Sequence, residues 1–377
     1  MAGDTPPGPP PNGAPPKFIH QDVSQLGIAS AVLKAVAAAT GRAFTSPFKG
    51  ENGASTYWKD VALAMFRTQL GNLDIAQDRY LGSTTCTPVY HQYCKSYKLT
   101  PDSITLPSGT QAHWLGNKDA PKTLVYLHGG GYVLPCMSGH LIWLDDMRKS
   151  VGGDMSVLLL AYDLAPEATY PTQLRQTVEL FQYLTETLGR NPADLIVGGD
   201  SAGGNLTLAL LSHLAHPHPE IAELRLNGKI HAAMLISPWV SLTQHHTAAH
   251  ERNAERDVFD SRPLSRWAAA FLNSKSPFAG DAYTEPVIAS PEWWEPVADV
   301  VDEVLIWGGG NEILIDSIQA FAQKFSVGFR RRGGHVNVVI TKGAMHDEMI
   351  FERVLGYKGD SGTGSKQVVE GWVKAKL

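Results

Sequence analysis

Cysteine is scarce in this chain of 377 residues. Cys86, Cys94 and Cys136 are too few for a disulfide framework and form no CxxC pair of the kind that holds zinc or runs redox exchange. Excess positive charge is also missing. A formal charge of −5 and a sequence pI near 6.3 leave no electrostatic footprint for nucleic acid or an anionic membrane. No apolar run approaches the roughly 20 residues needed to span a bilayer. The N-terminus, Met-Ala-Gly-Asp-Thr followed by prolines, has no basic region leading into an apolar core, so no secretory signal is read there. The expectation is a cytoplasmic chain with no membrane span and no nucleic-acid partner. Internal repeats are not visible. What is present is a globular composition, 43% hydrophobic and 18% charged, sufficient for a substantial core.

Residues 1–16 are dominated by proline and glycine and cannot bury enough surface to order themselves, so a disordered tail is expected. Residues 17–96 carry helical patterns. Leu26, Ala29, Val32, Leu33, Val36 and Ala37 recur at helical spacing between Asp22 and Thr40, and a second helix is expected from about Tyr57 to Leu70. With few basic residues, the first helix is read as packing on the protein itself rather than on a membrane. From about Tyr97, short apolar runs alternate with helix-like stretches. The runs are Ser103–Leu106, Gln111–Leu115, Thr123–Leu127, Val157–Ala161, Leu195–Val197, Ala232–Ile236, Val304–Trp307 and Val336–Ile340. Consecutive apolar residues are what strands buried on both faces require, hence an α/β fold with a mostly parallel sheet covered by helices. The core is expected at 97–240 and 300–377. Between them, 241–299 is too long for a structureless loop and holds Phe259, Trp267, Phe271, Phe278, Trp293 and Trp294, so a folded, helical lid is expected.

Three stretches carry chemistry. Gly199-Asp200-Ser201-Ala202-Gly203 lies between the apolar run at Leu195 and a helical stretch from Asn205 to Leu214. In the order strand, Gly-x-Ser-x-Gly, helix, the pentapeptide is a nucleophile elbow that pushes the Ser201 hydroxyl out to meet a base. Upstream, Thr123–Leu127 runs into His128-Gly129-Gly130-Gly131-Tyr132, whose glycines bring backbone N–H groups close to a ligand. That loop and the N–H of Ala202 would form an oxyanion hole. Downstream, His346 follows the last strand, where a general base belongs. For the acid that orients it, Glu312 is favoured by its place at the end of the strand at Val304–Trp307. Asp316, one turn into the next helix, is the alternative. Asp347 is read as pointing elsewhere. His213, His216 and His218, or His245 and His246, lack the HExxH spacing and accompanying acids of a metal site. The run Arg330-Arg331-Arg332-Gly333-Gly334 is read as the solvated end of a helix rather than a phosphate site.

These residues, with Tyr162-Asp163-Leu164-Ala165-Pro166-Glu167 and Ser237-Pro238-Trp239, resemble the hormone-sensitive-lipase family of α/β-hydrolases. The resemblance covers roughly Gln111 to Phe351. It implies an eight-stranded, mostly parallel sheet whose first strands can run antiparallel, and a cap built from N-terminal helices plus the insertion after Trp239. It also implies a Ser201–His346–Glu312 triad, an oxyanion hole of Gly130, Gly131 and Ala202, and no cofactor or metal. Tyr132, Asp200 and Trp239 become candidates for lining the substrate pocket. The sequence departs from the family at Asp163, where Arg is usual, and at Glu312-Ile313-Leu314, where Asp-Pro-Leu is usual, which leaves the acid open between Glu312 and Asp316. The wording around Tyr162 and the long N-terminal cap are similar to fungal members that act on acylated secondary metabolites. The function implied is a serine carboxylesterase or deacylase acting, through an acyl-enzyme, on an ester of a small, largely apolar molecule. Two alternatives stay open: elimination, lactonisation or cyclisation in the same pocket, and a ligand-binding receptor like the plant gibberellin receptor. A small-molecule ester is the expected partner, and a homodimer is left open.

Overall fold

The computed structural model describes residues 23–243, 247–273, 280–359 and 362–377. The expected tail at 1–16, together with His245, His246 and Phe278, lies outside them. Four helices precede the first strand: α1 (Gln25–Thr45), α2 (Tyr57–Asn72), α3 (Ile75–Leu81) and α4 (Cys86–Tyr97). Polar side chains at their starts say why they begin where they do. The Ser24 hydroxyl accepts from Gly27 N at 3.1 Å, and the Thr56 hydroxyl accepts from Lys59 N at 3.3 Å. Asp74 and Gln77 bond reciprocally at 2.8 and 3.0 Å, a capping box that lets a helix as short as α3 persist. The sequence pattern exposed α1 and α2 but not α3, whose seven residues are too short to display a periodicity, nor α4, whose buried face is built of Cys86, Tyr90, Tyr93 and Cys94 rather than aliphatic residues.

The sheet contains β1 (Ser103–Thr105), β2 (Gln111–Leu115), β3 (Lys122–Leu127), β4 (Met155–Ala161), β5 (Leu195–Asp200), β6 (Ile230–Ile236), β7 (Val301–Gly309) and β8 (His335–Thr341). Their spatial order is β1-β2-β4-β3-β5-β6-β7-β8. The first two strands pair antiparallel, and every pairing from β4 to β8 is parallel. Alternation across β3 divides the core. Val125 and Leu127 face one cluster, with Phe181 and Leu206, while Leu124 and Tyr126 face the other, with Trp143 and Leu144. Helices cover both faces: α5 (Ser138–Ser150), α6 (Thr172–Gln182), α7 (Ser201–Ala215), α11 (Ile315–Arg331), α12 (Glu348–Val354) and α13 (Ser365–Lys374). Between β6 and β7 the insertion folds into α8 (Ala248–Arg252), α9 (Ser261–Leu272) and α10 (Pro291–Trp294) with short 3-10 turns. At the end of α11, Arg331 pairs with Glu292 and Glu295, and Arg332 with Asp299.

One expectation needs correction. The stretch Gln25–Phe48 is 24 residues long with mean hydropathy 1.2, long and apolar enough by length and composition to cross a membrane. Lys34 and Arg42 interrupt its apolar letters, which is why it does not read as one run. Helix α1 packs on α2 but buries only Ile28, Ala31 and Ala35. Leu26, Leu33 and Phe44 stay exposed.

The N-terminal helices are tied to the core by a buried cation. Lys59 of α2 donates to Glu348 at 2.6 Å and pairs with Glu352 at 2.7 Å, and all three side chains are almost completely enclosed. Glu348 also accepts from the Ser365 hydroxyl at 2.5 Å. Truncating the lysine leaves two carboxylates buried without their counter-ion, which typically costs about 3–5 kcal/mol. Lys59→Ala is therefore expected to lower unfolding free energy by about that amount in urea denaturation. An unchanged midpoint would mean that the triad contributes nothing net.

Candidate active site

Strand β5 ends at Asp200 and α7 begins at Ser201, so no loop separates them. Ser201 sits at φ +50°, a region that a serine enters only when its surroundings force it. Two glycines make the corner passable. A Cβ at Gly199 or Gly203 would collide with the carbonyl oxygen of Leu127. Behind the corner, Trp239 N donates to the Ser201 carbonyl at 2.9 Å. The helix starts four residues before the expected Asn205 because the elbow itself is its first turn, and two glycines conceal that in a propensity reading.

The glycine loop lies alongside. Gly130 and Gly131 have φ of +105° and +61°. The Gly130 carbonyl accepts from Val133 N at 3.1 Å and Leu134 N at 2.8 Å. Among the described residues, no protein acceptor takes the N–H of Gly130 or Gly131. Ala202 is the second residue of α7, where an N–H has no intrahelical partner. His128, the first residue of the motif, is structural: its ring stacks on Tyr162 at 4.2 Å and its Nε2 lies 3.0 Å from Cys86 Sγ.

Of the three pocket candidates, Asp200 lines the cavity and the rings of Tyr132 and Trp239 do not. Asp200 borders the cavity beside Ser201, but its oxygens are taken by Tyr126 at 2.8 Å and His140 at 3.1 Å. Burial alone would raise its pKa; the His140 charge and the hydrogen bonds from His140 and Tyr126 pull it down to about 2. It braces the loop beneath Gly129 instead of offering an acceptor to substrate. Tyr132 and Trp239 do not line the cavity. Tyr132 is fully buried, donates to Asn205 at 2.6 Å and stacks on Phe271 at 3.8 Å. Trp239 is buried too, and its carbonyl accepts from Asn205 Nδ2 at 2.8 Å. Both rings fill the core beneath the elbow, as large apolar side chains next to a buried helix start must.

His346 Nδ1 lies 2.7 Å from Glu312 Oε2. The other oxygen of Glu312 accepts from Gly309 N at 2.6 Å and the Ser237 hydroxyl at 3.1 Å. Asp316 does not approach. It accepts from Ala249 N at 2.8 Å and Arg252 at 2.9 Å, on the surface side of α11.

Two further carboxylates surround the imidazole. Asp347 reaches His346 Nε2 at 3.0 Å, contrary to the expectation that it points elsewhere. Its φ of +49° turns the side chain back over the ring, a conformation that a sequence neighbour gives no hint of. Burial alone would lower the His346 pKa, but Asp347 and Glu312 raise it well above the ordinary imidazole value. Asp257, from the insertion, escaped the sequence reading because no motif marks it. It accepts from His346 N at 3.0 Å and Ile313 N at 2.7 Å, tying the histidine loop to the residue after Glu312. Burial raises its pKa to about 6, against the opposing pull of His346.

Ser201, His346, Asp347, Gly130 and Gly131 open onto one cavity of about 780 Å³. Its walls come from both parts of the cap: Phe66 and Leu70 of α2, Val89 of α4, and Phe259 and Trp267 of the insertion. The Phe259 ring stands edge-on to His346 at 4.7 Å. The remaining aromatics described in the insertion pack inside the protein, Trp293 on His216 and Trp294 on Phe321 and Phe325. His213, His216 and His218 turn to Ala222 O, Trp293 O and the Tyr170 hydroxyl instead of converging on one point. A shielded serine, an imidazole held by a carboxylate and unpaired N–H groups together suit nucleophilic acyl transfer.

Three mutational outcomes follow from this geometry, each read on p-nitrophenyl acetate. Glu312→Gln removes the acceptor that fixes the imidazole and is expected to lower kcat by roughly 10³–10⁴. Asp316→Asn should leave kcat nearly unchanged, and a larger loss in that variant would reverse the assignment. In Asp347→Asn, one of the two charges holding the His346 proton disappears. A base must be neutral to act, so activity rises with pH through the His346 pKa. The acid limb of kcat/KM is expected to move to lower pH by roughly one unit; an unmoved limb would show that Asp347 does not act on the imidazole.

Comparison with known proteins converges on the same chemistry. A model of the family described as steryl acetyl hydrolase matches residues 111–368. An acetyl-hydrolase of Streptomyces hygroscopicus is 29% identical over 225 residues, covering 59% of this chain and 68% of that protein. Steryl acetyl hydrolase 1 of Saccharomyces cerevisiae is 28% identical over 214 residues, 54% of this chain and 48% of that relative's length. An esterase of the bacterial hormone-sensitive lipase family shares the fold, with a TM-score of 0.59 at 21% identity over 94% of this chain and 99% of that one. With its serine elbow, its glycine loop and its mainly parallel sheet of eight strands, the chain is a carboxylic ester hydrolase of the α/β-hydrolase fold and belongs to the steryl acetyl hydrolase family.

Proposed function

We propose that the protein removes acetyl groups from esters of bulky, largely apolar alcohols, steryl-like or other polycyclic ones, through a Ser201–His346–Glu312 triad. The observation that carries this reading is the cavity of about 780 Å³ that joins Ser201 and His346 to apolar walls on both cap segments. The acetyl group is suggested by the relatives described as acetyl hydrolases. A fungal acylated secondary metabolite fits the same chemistry.

The reaction runs in two halves. His346 takes the Ser201 proton as the oxygen attacks the ester carbonyl, and Glu312 stabilises the imidazolium. The N–H groups of Gly130, Gly131 and Ala202 receive the negative oxygen, each donor lowering the barrier by about 2.7–4 kcal/mol. His346 then protonates the departing alcohol oxygen, leaving an acetyl-enzyme on Ser201. Water, deprotonated by His346, attacks that ester and releases acetate. Asp347 must leave Nε2 before the serine can give up its proton there, so substrate entry and the loss of the Asp347 contact are coupled steps.

Hydrolysis of p-nitrophenyl acetate and butyrate tests the reading. Ser201→Ala is expected to reduce kcat by about 10⁶, and equal rates for the two proteins would sink the proposal. Acetate should be preferred over longer acyl chains. Mass spectrometry that finds the free alcohol and acetic acid separates hydrolysis from elimination or cyclisation.

A further inference from the structure

The cavity is mainly apolar away from Ser201 and His346, and apart from Asp200 and Asp347 at that end a single acidic side chain borders it. Asp78, on α3, is only 8% exposed and borders the cavity, and its Oδ2 has no hydrogen-bond partner among the described residues. Such a carboxyl would normally be neutralised by a cation at contact distance. Arg266 of α9 is the nearby candidate, but it donates to the Leu70 carbonyl at 2.6 Å and forms no ion pair with Asp78. The position is also rigid. Arg79, the next residue, donates to Val133 O at 2.7 Å and to Ala165 O, and pairs with Glu167 at 2.7 Å. Helix α3 is thereby bolted to the segment that follows the glycine loop.

A buried polar atom without a partner is expensive unless something else satisfies it. In a mainly apolar binding cavity, a polar group on the ligand can do so. Burial is the main influence on this carboxyl and raises its pKa to about 7, with Arg266 pulling it down and Asp74 pushing it up. Around neutral pH it therefore exists both as an acceptor and as a donor.

We infer that Asp78 is a binding subsite for a hydroxyl group carried by the alcohol part of the substrate, away from the ester. The inference rests on the reading of the cavity as the site of ester hydrolysis. Under it, the substrate is an apolar acetate with a second oxygen function, such as the monoacetate of a diol. The subsite selects by binding, since Asp78 touches none of the reacting atoms. Apolar walls accept an added hydroxyl or methylene with little discrimination, whereas a site with a waiting polar partner rejects the analogue that lacks it.

The experiment compares a homologous series of ω-hydroxyalkyl acetates with the matching n-alkyl acetates. Its readout is the ratio of kcat/KM within each pair, in which any loss of folded enzyme cancels. For at least one chain length, this ratio is expected to be about tenfold higher in wild type than in Asp78→Leu, as for a hydrogen bond to a charged group. The difference should lie in KM. Asp78→Asn, nearly isosteric and uncharged, should keep part of the preference and lose its rise with pH through about 7, which charged Arg266 and Asp74 cannot supply at constant ionisation. Equal ratios in wild type and Asp78→Leu across the series overturn the inference. So does turnover of p-nitrophenyl acetate with no turnover of any member of the series. The reading beneath it fails differently, by hydrolysis surviving in Ser201→Ala.

Discussion

The corner between β5 and α7 is the constraint on which the rest of the structure depends. A serine at φ +50° stores on the order of 1–3 kcal/mol of backbone strain, and it persists only because the surroundings leave no other path. Those surroundings are the adjacent strands. Leu127 of β3 pairs with Gly199 of β5, so the strand that feeds the glycine loop stops level with the elbow. Asp200 pairs with Ile236 of β6, which puts Ser237 next in line, and Ile236 pairs with Trp307 of β7. Strand register therefore delivers Ser201, the glycine loop, Ser237 and the Glu312 loop to one edge of the sheet. This is the carboxyl edge at which open parallel sheets place their ligands.

Charge around the imidazole is arranged by backbone more than by side-chain choice. Glu312 is fixed at Nδ1 by Gly309 N and the Ser237 hydroxyl, and Ser237 also receives Asp347 N at 3.3 Å. Asp257 reaches in from the insertion to hold His346 N and Ile313 N. Three carboxylates near one imidazole favour the protonated ring, yet a general base has to be neutral. The arrangement resolves this only if one of the three charges is conditional. Asp347 is the one at Nε2, and burial raises its pKa well above the usual carboxylate range. A proton shared between Nε2 and Asp347 is compatible with a resting enzyme, and an apolar substrate that displaces the carboxylate would restore the base.

How much of this could be read from the sequence follows from the range of each interaction. Strands buried on both faces, β3 to β7, declare themselves as apolar runs; all eight strands were placed, with boundaries off by up to three residues at an end. Motifs with a forced geometry were legible too: the Ser201 elbow because it needs its glycines, and Glu312 because the loop after β7 brings it to His346 Nδ1. Tyr132 and Trp239 misled because adjacency to a motif in sequence says nothing about which side of the backbone a ring occupies. Asp347 and Asp257 were hidden for the opposite reason. One depends on a single left-handed residue and the other on a contact spanning from Asp257 to His346, and neither leaves a local pattern. Helix α3 was missed because seven residues show no 3.6-residue period, and α4 because the period it has is written in cysteine and tyrosine, Cys86, Tyr90, Tyr93 and Cys94, rather than in aliphatic residues.

The cap is the part of the molecule that sequence described least, and its attachment explains how specificity and chemistry are kept apart. Two buried ionic anchors join it to the core. Lys59 binds Glu348 and Glu352 on α12, the helix that starts directly after His346 and Asp347. Arg79 binds the carbonyls of Val133, just beyond the glycine loop, and of Ala165, beyond β4, whose N–H donates to Tyr132 O. Both anchors fall next to segments that border the candidate site, and neither uses Ser201, Glu312 or His346. Between them, α2, α3 and α4 present the residues that face the cavity, Phe66, Leu70, Asp78 and Val89. Because buried charge pairs tolerate little displacement once formed, the cap's inner surface is held at fixed height over Ser201. Exchange of cavity-facing residues then changes what fits without moving the groups that react. A lone buried carboxyl on that surface is costly to the fold and contributes nothing to either anchor, which is the physical reason to look to the ligand for its partner.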